Sequence, residues 1–185
     1  MLGRSARARR RPSARTVVAV AAAVVLIAAG ALWWWQRDTP AEAAQRYLRA
    51  QWSGQWVEQC DLATLSWRQV IYNGYPFADC DAYAAAARKA DRADAAGASS
   101  PSAGAPSTLA GFAAYRADTE VDVRVEELSS GDGRARIAYV VALQYRGDDR
   151  AGFDALWQGA PAEDRGTVEM VDDEGWRVAG VDSQG

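Results

Sequence analysis

Val121 to Arg146 reads VDVRVEELSSGDGRARIAYVVALQYR, and this stretch decides the fold class. Its first part alternates valine with charged residues, which is the period-two pattern of a strand with one face in water. Ser129 to Gly133 is rich in serine and glycine and predicts a hairpin turn. From Arg136 to Arg146 both faces are apolar, so we expect this strand to be central in an antiparallel sheet.

A second hairpin is predicted downstream of this pair. Gly166 to Val171 and Trp176 to Val181 have strand-like patterns and flank the turn sequence Asp-Asp-Glu-Gly at 172–175. The connection from Gly147 to Asp164 looks irregular. The sequence therefore predicts a sheet of about four strands that ends the chain.

About three helices are predicted before the sheet. The first begins at Thr39-Pro40-Ala41-Glu42, which is a capping box with proline at the first helical position. The second is predicted from Gln55 to Leu65, with a helical continuation toward Ile71. After a turn at 73–76, Asp79 caps a third helix over Asp81 to Arg92. The fold class is therefore α+β.

Residues 93–108, ADAAGASSPSAGAPST, contain no aromatic or large aliphatic side chain. Such a segment cannot bury enough apolar surface to offset the entropy of ordering it. We expect a low-complexity loop between the helices and the sheet.

The N-terminal region has the pattern of a membrane anchor. Residues 16–35 are twenty residues without a charge, long enough as a helix to cross a bilayer core of roughly 30 Å. Six arginines precede them, which by the positive-inside rule keeps residues 1–15 in the cytoplasm. The residues expected at the far interface are Trp33, Trp34 and Trp35. Residues 36–185 are then an extracytoplasmic domain, and the bilayer is a partner through 16–35.

A cleaved signal peptide is the alternative, with a cleavage site at Ala29-Gly30-Ala31. The domain leaves the cytoplasm in both interpretations. Cys60 and Cys80 then lie in a compartment where disulfides persist, and we expect them to be bonded. Two buried free thiols are the alternative.

Charge and composition exclude several functions. After residue 35 the chain has 15 basic and 24 acidic side chains, so nucleic-acid binding is not expected. The chain has no histidine, which removes Ser-His-Asp systems and histidine-bound zinc. We expect no enzyme activity, no metal and no cofactor.

Several carboxylates are candidates for chemistry, but each has a simpler explanation. Asp79, Asp81 and Glu120 are the candidates for a general base, but caps and solvated strand edges explain them. Two acidic clusters, at 148–154 and 172–174, match no calcium loop and fit solvated turns.

Five aromatic residues in the helical half are candidates for lining a pocket, although core packing also explains them. They are Tyr47, Trp52, Trp56, Trp67 and Tyr72.

The final hairpin, TVEMVDDEGWRVAGVDSQG at 167–185, resembles the end of nuclear-transport-factor-like and ketosteroid-isomerase-like cones, which include SnoaL-like and cystatin-like domains. The residues that carry the likeness are Gly175-Trp176-Arg177-Val178 and Val181. With a membrane helix in front, the chain is similar to Mce-associated membrane proteins of actinobacteria and to bridging components of secretion machines. The resemblance implies helices packed on a curved sheet and a role as an adaptor.

Two functions follow as expectations. The first is a membrane-anchored, non-enzymatic adaptor or accessory subunit of a cell-envelope transport or secretion assembly, with envelope proteins as partners. The alternative is an extracytoplasmic module that binds a lipid or another apolar small molecule. Assembly with further copies of the chain is left open.

Overall fold

The structure, a computed structural model, describes residues 38–96 and 111–183. No helix within these two ranges has the length and apolarity to cross a bilayer. The predicted membrane segment 16–35 and its tryptophans lie outside the described residues, as does most of the predicted low-complexity loop at 93–108.

The described residues form an α+β domain, as predicted. Its five α-helices are α1 Pro40–Ser53, α2 Trp56–Asp61, α3 Leu65–Ile71, α4 Cys80–Ala95 and α5 Arg150–Leu156. Its four strands are β1 Thr119–Gly131, β2 Arg134–Tyr145, β3 Glu163–Asp172 and β4 Trp176–Ser183. They form an antiparallel meander in the order β1-β2-β3-β4.

Side-chain caps set the starts of the helices. At α1, the Thr39 side chain accepts a hydrogen bond from the Glu42 backbone N–H, and the Glu42 carboxylate accepts one from the Thr39 N–H. These bonds satisfy donors that the first turn leaves unpaired. Gly54 ends α1 in the left-handed region at φ 72°. Asp79 caps α4 by accepting from Ala82 N at 2.8 Å.

The prediction of one helix over 55–65 is wrong in its extent. The structure has two helices, α2 and α3, because Thr64 caps the start of a new one. The Thr64 hydroxyl accepts a hydrogen bond from Trp67 N at 3.2 Å, and α3 follows. The residues between α2 and α3 also pair with the edge strand β4. Val178 N donates to Leu62 O, and Thr64 N donates to Val178 O, both at 2.8 Å. This pairing holds α3 beside β4.

Two further boundaries differ from the sequence prediction. Helix α4 continues to Ala95, so the predicted loop boundary at residue 93 is three residues early. The predicted irregular connection at 147–164 contains α5 and the first residues of β3. Phe153 on α5 is fully buried and stacks on Tyr145, with ring centroids 5.1 Å apart. This packing explains why so short a helix is stable.

Strand β2 is central, as predicted, and alternate residues along it face the helices. These are Ala135, Ile137, Tyr139, Val141 and Leu143, each at most 6% exposed. The register places Val123 opposite Val141 and Val168 opposite Ile137, so all these strands contribute to one inner face. Gln45 on α1 donates to Val123 O at 2.8 Å and ties the helix to this face.

Tight turns close both hairpins. Asp132 and Gly133 have φ of 51° and 70°, as a two-residue turn with both central residues in the left-handed region requires. The predicted turn at 129–133 is therefore shorter, because β1 continues to Gly131.

A disulfide joins α2 to the start of α4. The sulfur atoms of Cys60 and Cys80 are 2.06 Å apart, so the predicted cysteine pair is present.

Candidate ligand-binding cleft

An open cleft of about 1180 Å³ lies between the helices and the inner face of the sheet. Helices α1 and α3 form one wall, and β2, β3 and β4 form the opposite wall. The segment that follows α5 closes one end. Aromatic lining residues are Tyr47, Trp52, Trp67, Tyr139 and Trp157, and aliphatic ones are Val70, Ile71, Leu156 and Val181.

A buried hydrogen-bonded network fixes the helical wall. The Tyr47 hydroxyl oxygen accepts from Trp67 Nε1 at 2.8 Å and from Gln59 Nε2 at 3.4 Å. The Tyr83 hydroxyl donates to Gln59 Oε1 at 3.1 Å. Gln59 is 1% exposed, and both ends of its amide have partners, as a buried amide requires. The network holds the Trp67 ring at the cleft wall.

Burial controls the protonation state of these tyrosines. Desolvation raises the pKa of Tyr47 to about 12, and it also raises the pKa of Tyr83 well above its usual value. Both phenols are neutral hydroxyls at neutral pH, as an ordinary tyrosine is, and burial extends that state to more alkaline pH.

The sheet wall carries a polar group within the aromatic lining. Asp164 lies near the start of β3, and its Oδ2 accepts a hydrogen bond from the Tyr139 hydroxyl at 3.2 Å. Its Oδ1 accepts one from the Ser183 hydroxyl at 2.6 Å. Burial, followed by the nearby Asp164 charge, raises the pKa of Tyr139. Tyr139 is thus a donor to the carboxylate at neutral pH.

Two tryptophans at the closed end have unpaired donors. Trp52 and Trp157 pack together with ring centroids 6.3 Å apart, and Phe112 meets Trp52 edge to face at 5.3 Å. Neither Trp52 Nε1 nor Trp157 Nε1 has a hydrogen-bond partner in the described structure, and both atoms are buried. Leaving a buried donor without a partner costs about 1–3 kcal/mol.

The structure brings three of the five predicted pocket residues to the cleft: Tyr47, Trp52 and Trp67. Trp56 lies elsewhere, where its Nε1 donates to Asp91 at 3.0 Å and the Arg116 guanidinium lies 5.0 Å from its ring centroid. Tyr72 packs in the core beside the disulfide. Its hydroxyl donates to Cys60 Sγ at 3.2 Å, because a bonded sulfur has no proton to give.

The carboxylates considered from sequence have local roles. Asp79 caps α4, and Glu120 pairs with Arg146 at 2.9 Å. Asp149 caps α5 and accepts from the Tyr115 hydroxyl at 3.0 Å. Asp172 accepts from Gly175 N at 3.1 Å in the last turn. Within residues 38–96 and 111–183, no group of three or more acidic or cysteine side chains is placed to hold a metal ion.

Sequence reasoning missed Asp164, Tyr139, Trp157 and Ser183 as cleft residues. It started β3 at Gly166 and left Asp164 in the preceding connection. The signal was present: Asp164, Gly166, Val168 and Met170 alternate at period two, so the aspartate shares the inner face with the buried residues. Only the β2–β3 register, which pairs Val141 with Asp164, shows how far the strand extends.

The cleft is thus a groove with five aromatic side chains in its lining and two carboxylates on its sheet wall, Glu163, which is paired with Arg165, and Asp164. Comparison with known proteins adds no relative: no family model, no curated protein and no solved structure matches this chain.

Proposed function

We propose that the folded domain is a binding module that holds a largely apolar small molecule between the helices and the sheet. The observation that carries this proposal is the cleft of about 1180 Å³ with five aromatic side chains in its lining. Ligand sites are typically clefts of about 300–1,000 Å³ whose walls combine apolar and aromatic side chains with some polar groups, and this cleft is somewhat larger than that range. The buried Tyr47–Gln59–Tyr83 network supports a preformed wall, which lowers the entropy lost on binding.

Binding is favoured over catalysis by the side chains available. The chain has no histidine, and both cysteines are bonded to each other. These features remove the commonest nucleophile–base pairs. Each carboxylate oxygen of Asp164 accepts a hydrogen bond from a hydroxyl group. The carboxylate is therefore held in place, as a group that orients a ligand should be.

The location belongs to the same proposal. The uncharged segment 16–35 supports a single membrane span with its N-terminus in the cytoplasm. The Cys60–Cys80 disulfide supports a domain on the outer side, because such bonds are rare in the reducing cytoplasm. Helices covering one face of an antiparallel meander also support the resemblance to the nuclear-transport-factor-like cone.

The test compares what co-purifies with the full chain and with two variants, all extracted in native-membrane discs without detergent. Val181→Trp fills the cleft, whereas Leu128→Trp adds the same ring at an exposed position, 52% exposed, on a bulge of β1. Organic extracts are compared by mass spectrometry. We expect a molecule that is enriched with wild type and Leu128→Trp and depleted with Val181→Trp. Identical extracts from all three chains would refute the proposal.

A second candidate, the envelope adaptor, is favoured by a different observation. Leu65, Val70 and Tyr75, on α3 and the turn after it, are 75%, 58% and 44% exposed. Contiguous patches of exposed apolar side chains are typical of protein-binding surfaces, and these three residues are the candidates for such a patch. The test is co-purification from native membranes with Leu65→Glu as the variant. Partners, including further copies of this chain, that are lost with Leu65→Glu would support the adaptor, and an unchanged protein profile would count against it.

A further inference from the structure

The carboxylate of Asp164 faces the cleft. Along β3, Asp164 shares the inner face with Gly166 and Val168, which pair with Tyr139 and Ile137. Its neighbours Glu163 and Arg165 alternate with it along the strand, but both also line the cleft and pair with each other there. The Tyr139 and Ser183 hydroxyls each donate one hydrogen bond to it, so the carboxylate is held in a fixed position.

Among the residues that the structure describes, this carboxylate has no salt-bridge partner. Arg165 is the one basic side chain that lines the cleft among the residues described, and it is paired with Glu163, with its Nε 3.1 Å from Glu163 Oε2. No cationic side chain in the described ranges forms a salt bridge with Asp164. The cleft therefore holds one carboxylate without a salt-bridge partner among the described residues, beside the Glu163–Arg165 ion pair and several uncharged polar side chains.

An ammonium group fits this arrangement better than other ligand heads. An ionised carboxylate has about four lone-pair sites, and only two are used here. An ammonium offers up to three donors and a charge, and charge-assisted hydrogen bonds are about twice as strong as neutral ones. The faces of nearby tyrosine and tryptophan rings attract cations as well. A carboxylate or phosphate head would instead be repelled by Asp164.

On the basis of the proposed function, we propose that the ligand is a cationic amphiphile, a protonated amine on an apolar body, and that Asp164 is its counterion in the cleft. The apolar body lies against the tryptophans and aliphatic side chains of the helical wall, and the ammonium lies at Asp164 on the sheet wall.

The experiment uses three water-soluble probes that share one apolar body and differ only in the head group. They are 4-phenylbutylamine, 4-phenylbutan-1-ol and 4-phenylbutyrate. Each is titrated calorimetrically into the full chain in lipid nanodiscs, with empty nanodiscs subtracted. The variants are Asp164→Asn, Val181→Trp and, as a matched charge control, Asp182→Asn. Asp182 is exposed, pairs with Thr167 on the other face of the sheet and does not line the cleft.

We expect the amine to bind wild type and Asp182→Asn about tenfold to hundredfold more tightly than the alcohol, and the carboxylate to bind most weakly. Asp164→Asn should reduce the preference for the amine to about threefold or less while keeping the alcohol affinity. Raising the salt concentration should weaken the binding of the amine, and of no other probe, to wild type. This measurement tests the inference even if Asp164→Asn fails to fold.

Two results would overturn the inference, and they differ in what else they affect. If amine and alcohol bind wild type equally and Val181→Trp blocks both, the proposal of a cationic ligand is refuted. The proposal of a binding cleft would then still stand. Absence of binding by all three probes, or binding that Val181→Trp does not change, would overturn both this inference and the proposed function.

Discussion

The buried network behind the helical wall gives a prediction with two linked parts. Tyr47→Phe removes an oxygen that accepts hydrogen bonds from Gln59 Nε2 and Trp67 Nε1. Gln59 is 1% exposed, so its N–H loses its partner where water cannot replace it. Trp67 is half-buried at the cleft, so its indole can turn to water. We expect a loss of about 2 kcal/mol in the free energy of unfolding near neutral pH.

The second part follows from the pKa of Tyr47, which burial raises to about 12. In the unfolded chain this pKa is about 10. Because the folded value is the higher one, the contribution to stability is complete below about pH 10 and is lost as the pH rises toward 12. Wild type should therefore lose about 1 kcal/mol at pH 11 through Tyr47 alone. Tyr47→Phe lacks this titration. The difference in free energy of unfolding between wild type and Tyr47→Phe should therefore shrink by that amount at pH 11.

The assay is urea unfolding of the full chain in nanodiscs, followed by tryptophan fluorescence at about pH 7, 9, 10 and 11. Tyr75→Phe is the matched control, because Tyr75 is 44% exposed and its change should stay within about 0.5 kcal/mol. A loss below about 0.5 kcal/mol for Tyr47→Phe near neutral pH would refute the hydrogen-bond argument. A gap that stays constant between pH 9 and 11 would refute the protonation argument.

Three further predictions concern the scaffold around the cleft. Replacing Cys60 and Cys80 together by alanine should lower the free energy of unfolding by about 3 kcal/mol, on the chain-entropy model for a separation of 20 residues. In a thiol titration, the denatured wild type should show no free thiol until it is reduced. Asp79→Ala should cost about 1 kcal/mol, measured by urea unfolding, through loss of the α4 cap, and Asp79→Asn should restore most of it. Gly166→Ala should destabilise the fold by about 1–3 kcal/mol in thermal unfolding, because a Cβ there would lie 1.9 Å from a backbone oxygen of β4. The control is Gly131→Ala, where the added Cβ would meet open space. A Gly166→Ala chain as stable as its control would contradict the close approach of β3 and β4.

Much of the fold was predictable because its determinants are local. The capping box at Thr39, the cap at Asp79 and the Asp-Gly hairpin turn each act within four residues. The two-sided apolarity of β2 predicted its central position, because a strand with neighbours on both edges and helices on one face has little solvent to meet. The cysteine pair was predicted from composition and compartment.

The elements that sequence reasoning missed depend on contacts between distant residues. Helix α5 is short, and its stability comes from the packing of Phe153 on Tyr145 of β2. The break between α2 and α3 follows from the pairing of residues 62–64 with Val178, more than a hundred residues away. No periodicity within either segment carries that information.

The sequence by itself determined the α+β class, the order of helices before an antiparallel sheet and the one wet face of β1, since amphipathic period and turn chemistry are properties of short segments. Only the tertiary structure decided which aromatic residues line the cleft and which pack behind it: Trp67 is at the wall, and Trp56 is held away from it by Asp91 and Arg116. It also decided that Asp164 faces the cleft without a salt-bridge partner in the described part of the chain. The physical reason is that burial and charge pairing are set by strand register and helix packing, which join residues far apart in the chain.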